Sequence, residues 1–192
     1  MPLQESISIE LIKSKLKKDI PVSPLSPKKS AAVHILILDN SDLDIVFTKR
    51  SIFVGNHKHE ISFPGGAIEK GDADLYQTAL RETCEEINIC KQSLHFLGCI
   101  DVFNTHYGLK IYPFISSLAE FEFMQASPNW EVEEIFTIPF HWFFEKKNME
   151  IREMSIDQTS TRQVYFYREY QGHIVWGITA AILKSFIDEI KK

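Results

Sequence analysis

Between Gly65 and Ile89 the chain runs GGAIEKGDADLYQTALRETCEEINI. A Phe63-Pro64-Gly65-Gly66 turn feeds a run that reads as one amphipathic helix with two sharply different sides. At the helical angle per residue, Tyr76, Ala79, Leu80, Thr83 and Ile87 form the less polar arc. Asp74, Thr78, Arg81, Glu82 and Glu85 form the polar arc, with Glu86 at its edge beside Ala79. Such a helix must lay its apolar arc on another element. The runs around it supply strands, so the chain reads as an α/β fold with helices packed on a sheet.

AAVHILILD (31–39) and LDIVFTKR (43–50), joined by turn residues Asn40 to Asp42, form a hairpin. Further strands are expected at 94–103, 109–118, 133–138 and 163–170. Ile178, Ile182, Phe186 and Ile190 recur one helical turn apart and predict an amphipathic helix over 177–190. Residues 5–18 predict a short amphipathic helix packed on the domain, and Pro21 to Pro27 a stiff linker. The expected division is therefore 1–29, helix and linker, and 30–192, the main domain. Asp39, Ser41 and Asp44 do not make a calcium loop, because its glycine and closing glutamate are absent.

Composition narrows the partners. A net charge of -5 argues against nucleic acid as a bulk electrostatic partner, and an anionic substrate needs local cations. Cys84, Cys90 and Cys99 are odd in number and form no C-x-x-C pair, which argues against a disulfide framework or zinc site and for a reducing compartment. No apolar run approaches membrane-spanning length, the first residues hold no apolar signal core, and the last form no address signal. The expectation is a cytoplasmic protein.

The polar arc carries the chemistry. Like charges one turn apart weaken a helix by roughly 0.2–0.5 kcal/mol per pair. Glu82 and Glu86 are so placed, and their carboxylates can meet at one cation, with Glu85 close enough to share a second. Oxygen donors of this kind suit magnesium. Arg81 can pair with Glu85, or with Asp74 earlier in the helix, and hold the carboxylates in place. Asp72 or Asp74 can cap the helix start, and Asp74 with Gln77 resembles a capping box. The glycines let backbone carbonyls approach a ligand beside those carboxylates.

Arg81-Glu82-Thr83-Cys84-Glu85-Glu86-Ile87-Asn88-Ile89 resembles the second half of the signature box of Nudix hydrolases. Thr83 replaces an aliphatic residue and Asn88 a glycine, and asparagine tolerates the left-handed conformation at a helix end. Ala73 stands where the box has glutamate, and Gly66 lies one residue further from Arg81 than in the general signature. This longer form, Gly65-Gly66-x-x-Glu69-x-x-Asp72, is similar to the coenzyme A pyrophosphatase branch. Phe47-Thr48-Lys49-Arg50-Ser51, Glu60 to Gly66, Tyr107-Gly108, Tyr112-Pro113-Phe114, Glu131 to Pro139 and Ile174 to Ala180 also follow that branch. Gly55 and His59 depart from it, where it has arginine and glycine. Lys49, Arg50 and Lys58 can supply positive charge for a phosphate instead.

The resemblance implies a Nudix-type α/β/α sandwich with a mixed β-sheet and hydrolysis of a nucleoside diphosphate derivative. It implies Mg2+ or Mn2+ held by Glu82, Glu86 and Glu85, completed by a backbone carbonyl near Gly66 or Ala67. Arg81, Glu85 and Glu134 are the implied catalytic group, with Glu131 as the other candidate base. Arg50, Lys49, Lys58 and Gly66 are the implied substrate contacts. The expected reaction releases 3′,5′-ADP and 4′-phosphopantetheine from coenzyme A or its derivatives. The alternatives are another substrate such as ADP-ribose or NADH, and a noncatalytic binding module. The partner is a small nucleotide-type molecule, without nucleic acid or membrane, and a homodimer is left open.

Overall fold

The buried run at Ser30 becomes the central strand β1 (Ser30–Leu38) in a computed structural model that describes residues 7–20, 29–54, 59–105, 108–155 and 161–192. Before it lies α1 (Ile9–Lys15). After it come β2 (Ile45–Arg50), β3 (Ile61–Ser62), β4 (Gly65–Ala67), α2 (Leu75–Ile87), β5 (His95–Cys99) and β6 (Phe103–Asn104). They are followed by β7 (Lys110–Leu118), α3 (Glu120–Phe123), β8 (Val132–Ile138), β9 (Met149–Ser155), β10 (Thr161–Tyr167) and α4 (Gly177–Ile190).

The main sheet runs β3-β2-β1-β7-β5, with β4 paired to β1, β6 to β7 and β8 to β2. β1 and β7 lie parallel from Ser30↔Lys110 to Leu38↔Leu118. The other pairs are antiparallel, so the sheet is mixed. β9 and β10 form a separate antiparallel ribbon.

Alternation along β1 assigns its two faces. Ala32, Leu36 and Leu38 pack with Leu75, Tyr76, Ala79, Leu80 and Ile87 of α2. Ile35 and Ile37 pack with Ile12 and Leu16 at the N-terminal end and with Ile182, Leu183, Phe186 and Ile187 of α4. The result is the expected α/β/α sandwich. Burying each of those α4 side chains contributes roughly 1.5–3 kcal/mol. α1 stops at Lys15 with Ser8 capping its start, and fully buries Ile12 in this shared core. The linker from Pro21 to Pro27 lies outside the described residues.

Two expectations are corrected. The glycine pair is not itself a turn: the bend falls at Pro64, and Gly65 and Gly66 lie in β4, hydrogen-bonded to β1. Cys84 and Cys90 are joined by a disulfide, with Cα atoms 4.5 Å apart. The cause is local. Asn88 takes the left-handed conformation (φ 59°) and donates its N–H to the Cys84 carbonyl, folding Cys90 back onto the last turn of α2. Cys99 is free and buried.

Candidate functional site

α2 begins where Asp74 accepts a hydrogen bond from the Gln77 N–H at 2.8 Å. Its polar side is organised around Arg81. The guanidinium binds Asp72 through two nitrogens, at 3.1 and 3.2 Å, and donates to the Ala67 carbonyl at 3.0 Å. It also reaches Glu82 at 3.0 Å and Glu85 at 3.1 Å. Burial works against the charge on Arg81, but the Asp72 hydrogen bonds and the Glu82 carboxylate more than restore it and hold its pKa high. The expected partner Glu85 is present. Asp72 occupies the role considered for Asp74, which is committed to the helix cap.

The three glutamates differ in setting. Glu85 is the outermost, with its side chain 55% exposed, whereas the Glu82 side chain is 17% exposed. Glu86 is 5% exposed and accepts the Gly65 N–H at 3.1 Å. Burial raises the Glu82 pKa against the pull of Arg81. Burial pushes Glu86 further, to about 8; the Gly65 hydrogen bond and Arg50 oppose this, while the charges of Glu82 and Glu131 add to it. A carboxyl held so high keeps its proton at neutral pH until a counter-charge arrives, so cation binding would release a proton. Among the described residues, no three acidic, histidine or cysteine side chains already converge in metal-ligand geometry. Glu82 and Glu85 are turned onto Arg81 instead.

Gly66 closes the back of the site. A Cβ there would stand 2.4 Å from Glu82 Oε1. Glycine therefore lets β4 lie against the carboxylate where it stands, whereas a side chain at 66 would push the end of Glu82 aside.

A loop brings in the later acidic residues. The Ser127 N–H binds the Ile87 carbonyl at 3.0 Å, and the Asn129 N–H binds the Glu86 carbonyl at 2.9 Å. Asn129 Oδ1 then accepts the Glu131 N–H at 2.8 Å, and Ser51 N–H binds the Glu131 carbonyl at 2.7 Å. Glu131 thus stands between α2 and β2, 4.0 Å from Arg50, and its charge is felt at both Glu82 and Glu86.

Arg50, Gly66, Arg81, Glu82, Glu85, Glu86 and Glu131 therefore gather at one place. Lys49 and Glu134 face each other in the β2–β8 register, beyond a bulge at Lys49/Arg50. Lys49 is held by Glu133 at 2.7 Å, and His59 binds the same carboxylate at 2.8 Å. Glu134 lies 3.4 Å from His173, whose ring stacks on Phe136. Lys58 lies outside the described residues, as do Gly55, His57, His106 and Tyr107.

Sequence reasoning missed Asp72 as the anchor of Arg81, and it missed the polar contacts behind α2. His34 Nδ1 is 3.0 Å from Thr83 Oγ1, and His34 Nε2 is 2.8 Å from Ser116 Oγ. The available signal was a pair of polar exceptions: a histidine inside an apolar strand run and a threonine on the apolar arc of the facing helix.

A family model described as NUDIX domain matches residues 28–159. The chain is 29% identical to the uncharacterized Nudix hydrolase NudL of Photorhabdus laumondii, over 85% of this chain and 86% of that one. It is 31% identical to the chloroplastic Nudix hydrolase 22 of Arabidopsis thaliana, over 82% of this chain and 53% of that one, so it spans about half of that relative. In three dimensions it resembles a MutT/nudix family protein from Enterococcus faecalis, with TM-score 0.54 and 14% identity, over 91% of this chain and 66% of that one. No helix among the described residues is long and apolar enough to cross a membrane.

Proposed function

The chain belongs to the Nudix hydrolase family, whose members hydrolyse a phosphoanhydride bond in a nucleoside diphosphate derivative, and from that premise we propose a magnesium-dependent pyrophosphatase acting on coenzyme A or its derivatives. The products would be 3′,5′-ADP and 4′-phosphopantetheine. The observation that carries the reading is Asp72. It lies in the branch-specific spacing Gly65-Gly66-x-x-Glu69-x-x-Asp72, and its carboxylate binds Arg81, the Thr78 hydroxyl and the Glu69 N–H. The distinctive spacing is thereby tied to the arrangement of the acidic centre.

The donor set fits a hard divalent cation, since it offers carboxylate oxygens and a buried Glu86 in need of counter-charge. Glu82 and Glu86 would hold the ion, Glu85 an additional one, and a backbone oxygen of Gly66 or Ala67 would complete the set. When bound, the metal screens the phosphate charges and lowers the pKa of the attacking water. Arg81 orients the carboxylates and is a positioning residue. Arg50 and Lys49 attract the anionic substrate. Of the two candidate bases, Glu131 is the better placed to take a proton near Glu82 and Glu86, whereas Glu134 is directed to His173.

The test is to incubate the protein with Mg2+ and, separately, coenzyme A, ADP-ribose and NADH, and to identify the products. Cleavage of coenzyme A to the two named products supports the proposal. Preference for ADP-ribose or NADH moves the substrate assignment, and no turnover of any overturns it.

A further inference from the structure

Resting on that metal reading, we infer that His34 is a positioning residue for the reaction: clamped between Thr83 and Ser116, it sets the height and rotation of α2 so that Glu82 and Glu86 reach one cation together. His34 and Thr83 are each 0% exposed, and so is Ser116. The hydrogen bonds between them have a single consistent direction. The Thr83 hydroxyl donates to the Ala79 carbonyl at 2.7 Å, leaving its oxygen to accept from His34 Nδ1–H. His34 Nε2 must then accept from the Ser116 hydroxyl, and Ser116 accepts from the Tyr76 hydroxyl at 3.2 Å. One chain of bonds joins β1, β7 and two points of α2, Tyr76 near its start and Thr83 past its middle.

Apolar contacts alone are non-directional and permit a helix to slide or turn on a sheet, whereas bonds of this length fix its position. Thr83 is next to Glu82 in sequence and one turn from Glu86, so any shift of Thr83 carries both carboxylates. The Glu82 carboxylate lies where a Cβ on residue 66 would stand, so such a shift changes its seat against β4. Thr83 also accounts for the buried histidine, because without it the His34 Nδ1–H would lose its acceptor. Burial holds the His34 pKa down at about 3, outweighing the nearby Ala79 carbonyl, which favours a protonated ring. The ring therefore stays neutral, and the direction of the chain is fixed, across neutral pH.

The test measures Mn2+ affinity by electron paramagnetic resonance, with no substrate present, together with Tm. The proteins are the wild type, His34→Leu, His34→Asn, Thr83→Val and the double His34→Leu/Thr83→Val. His34→Leu and Thr83→Val should each weaken Mn2+ binding about tenfold, within the range for groups that orient metal ligands. His34→Asn, whose amide replaces Nδ1–H toward Thr83, should stay within about threefold of wild type. In the double variant Tm should recover only in part, since the Nδ1–H that Thr83→Val leaves unpaired is gone while Ser116 still lacks its acceptor, and Mn2+ binding should stay about tenfold weak. Unchanged affinity in Thr83→Val, or affinity in the double variant that recovers with Tm, overturns the positioning role alone. A wild type that binds no Mn2+ overturns the metal reading and this inference with it. Should His34→Leu fail to fold, Thr83→Val and His34→Asn decide the outcome.

Discussion

The two faces of the central sheet are built from different materials. On the α4 face the contacts are mainly apolar: Ile182, Leu183, Phe186 and Ile187 meet Ile35, Ile37 and Tyr167, and Thr179 at the helix start donates to the Ile61 carbonyl at 3.0 Å. On the α2 face the apolar set is interrupted by buried Thr78, Thr83, Glu86, His34 and Ser116. An apolar face tolerates small adjustments, while a polar one requires every group to find its partner. The first face supplies stability, and the second gives up some of it to hold charged groups where chemistry needs them.

Substitutions should separate these roles. The largest effect is expected from Glu86→Gln, which removes the proposed ligand and should lower kcat about 10²–10³-fold in steady-state assays. The same variant tests the pH dependence. With a folded pKa raised from 4.5 to about 8, Glu86 contributes fully to stability below pH 4.5, and the contribution falls away as pH rises through about 8. Metal-free wild type should therefore lose about 4 kcal/mol relative to Glu86→Gln between those limits, read by denaturant unfolding across pH. Added Mg2+ should reverse the difference in favour of wild type. On the other face, Phe186→Ala should cost about 3–4 kcal/mol of stability by opening a cavity. Its kcat per folded molecule should stay near that of wild type. A large loss of kcat there would erase the distinction between the faces.

Two smaller effects sharpen it. Reduction of Cys84–Cys90 should lower stability by about 2 kcal/mol, the loop-closure value for so short a ring, read by unfolding with and without a dithiol. Gly66→Ala should slow turnover about tenfold, or about 1.4 kcal/mol, by displacing the Glu82 carboxylate. Its Tm should barely move, because the displaced atoms are the flexible end of a side chain.

The same contrast explains what could be read in advance. α4 and the long strands announce themselves by periodicity, since burial on one side leaves a regular trace. The acidic residues of α2 were legible through their spacing and their likeness to a known box. The two-stranded ribbon was half hidden: β9 carries Glu150, Arg152 and Glu153 and is largely exposed, so backbone pairing with β10 defines it rather than an apolar pattern. The disulfide was hidden because it depends on how Asn88 turns the chain, which composition and cysteine count do not encode. Asp72, likewise, finds Arg81 only through the loop that folds it back. Glu86 looked like the edge of a solvated arc, yet proximity to β4 buries it.

The loop that hangs from the last turn of α2 bears on how the chain can change length. Ser127 and Asn129 hold the terminal carbonyls of that helix, and Asn129 in turn holds Glu131. These few residues act as a ruler between helix and acid. An insertion on the far side, around α3, lengthens a surface excursion at little cost, since loop closure grows only slowly with length. A single residue inserted between Ser127 and Glu131 would move the carboxylate off its mark. Natural or engineered variation in loop length should therefore fall before Ser127 and spare the stretch that follows.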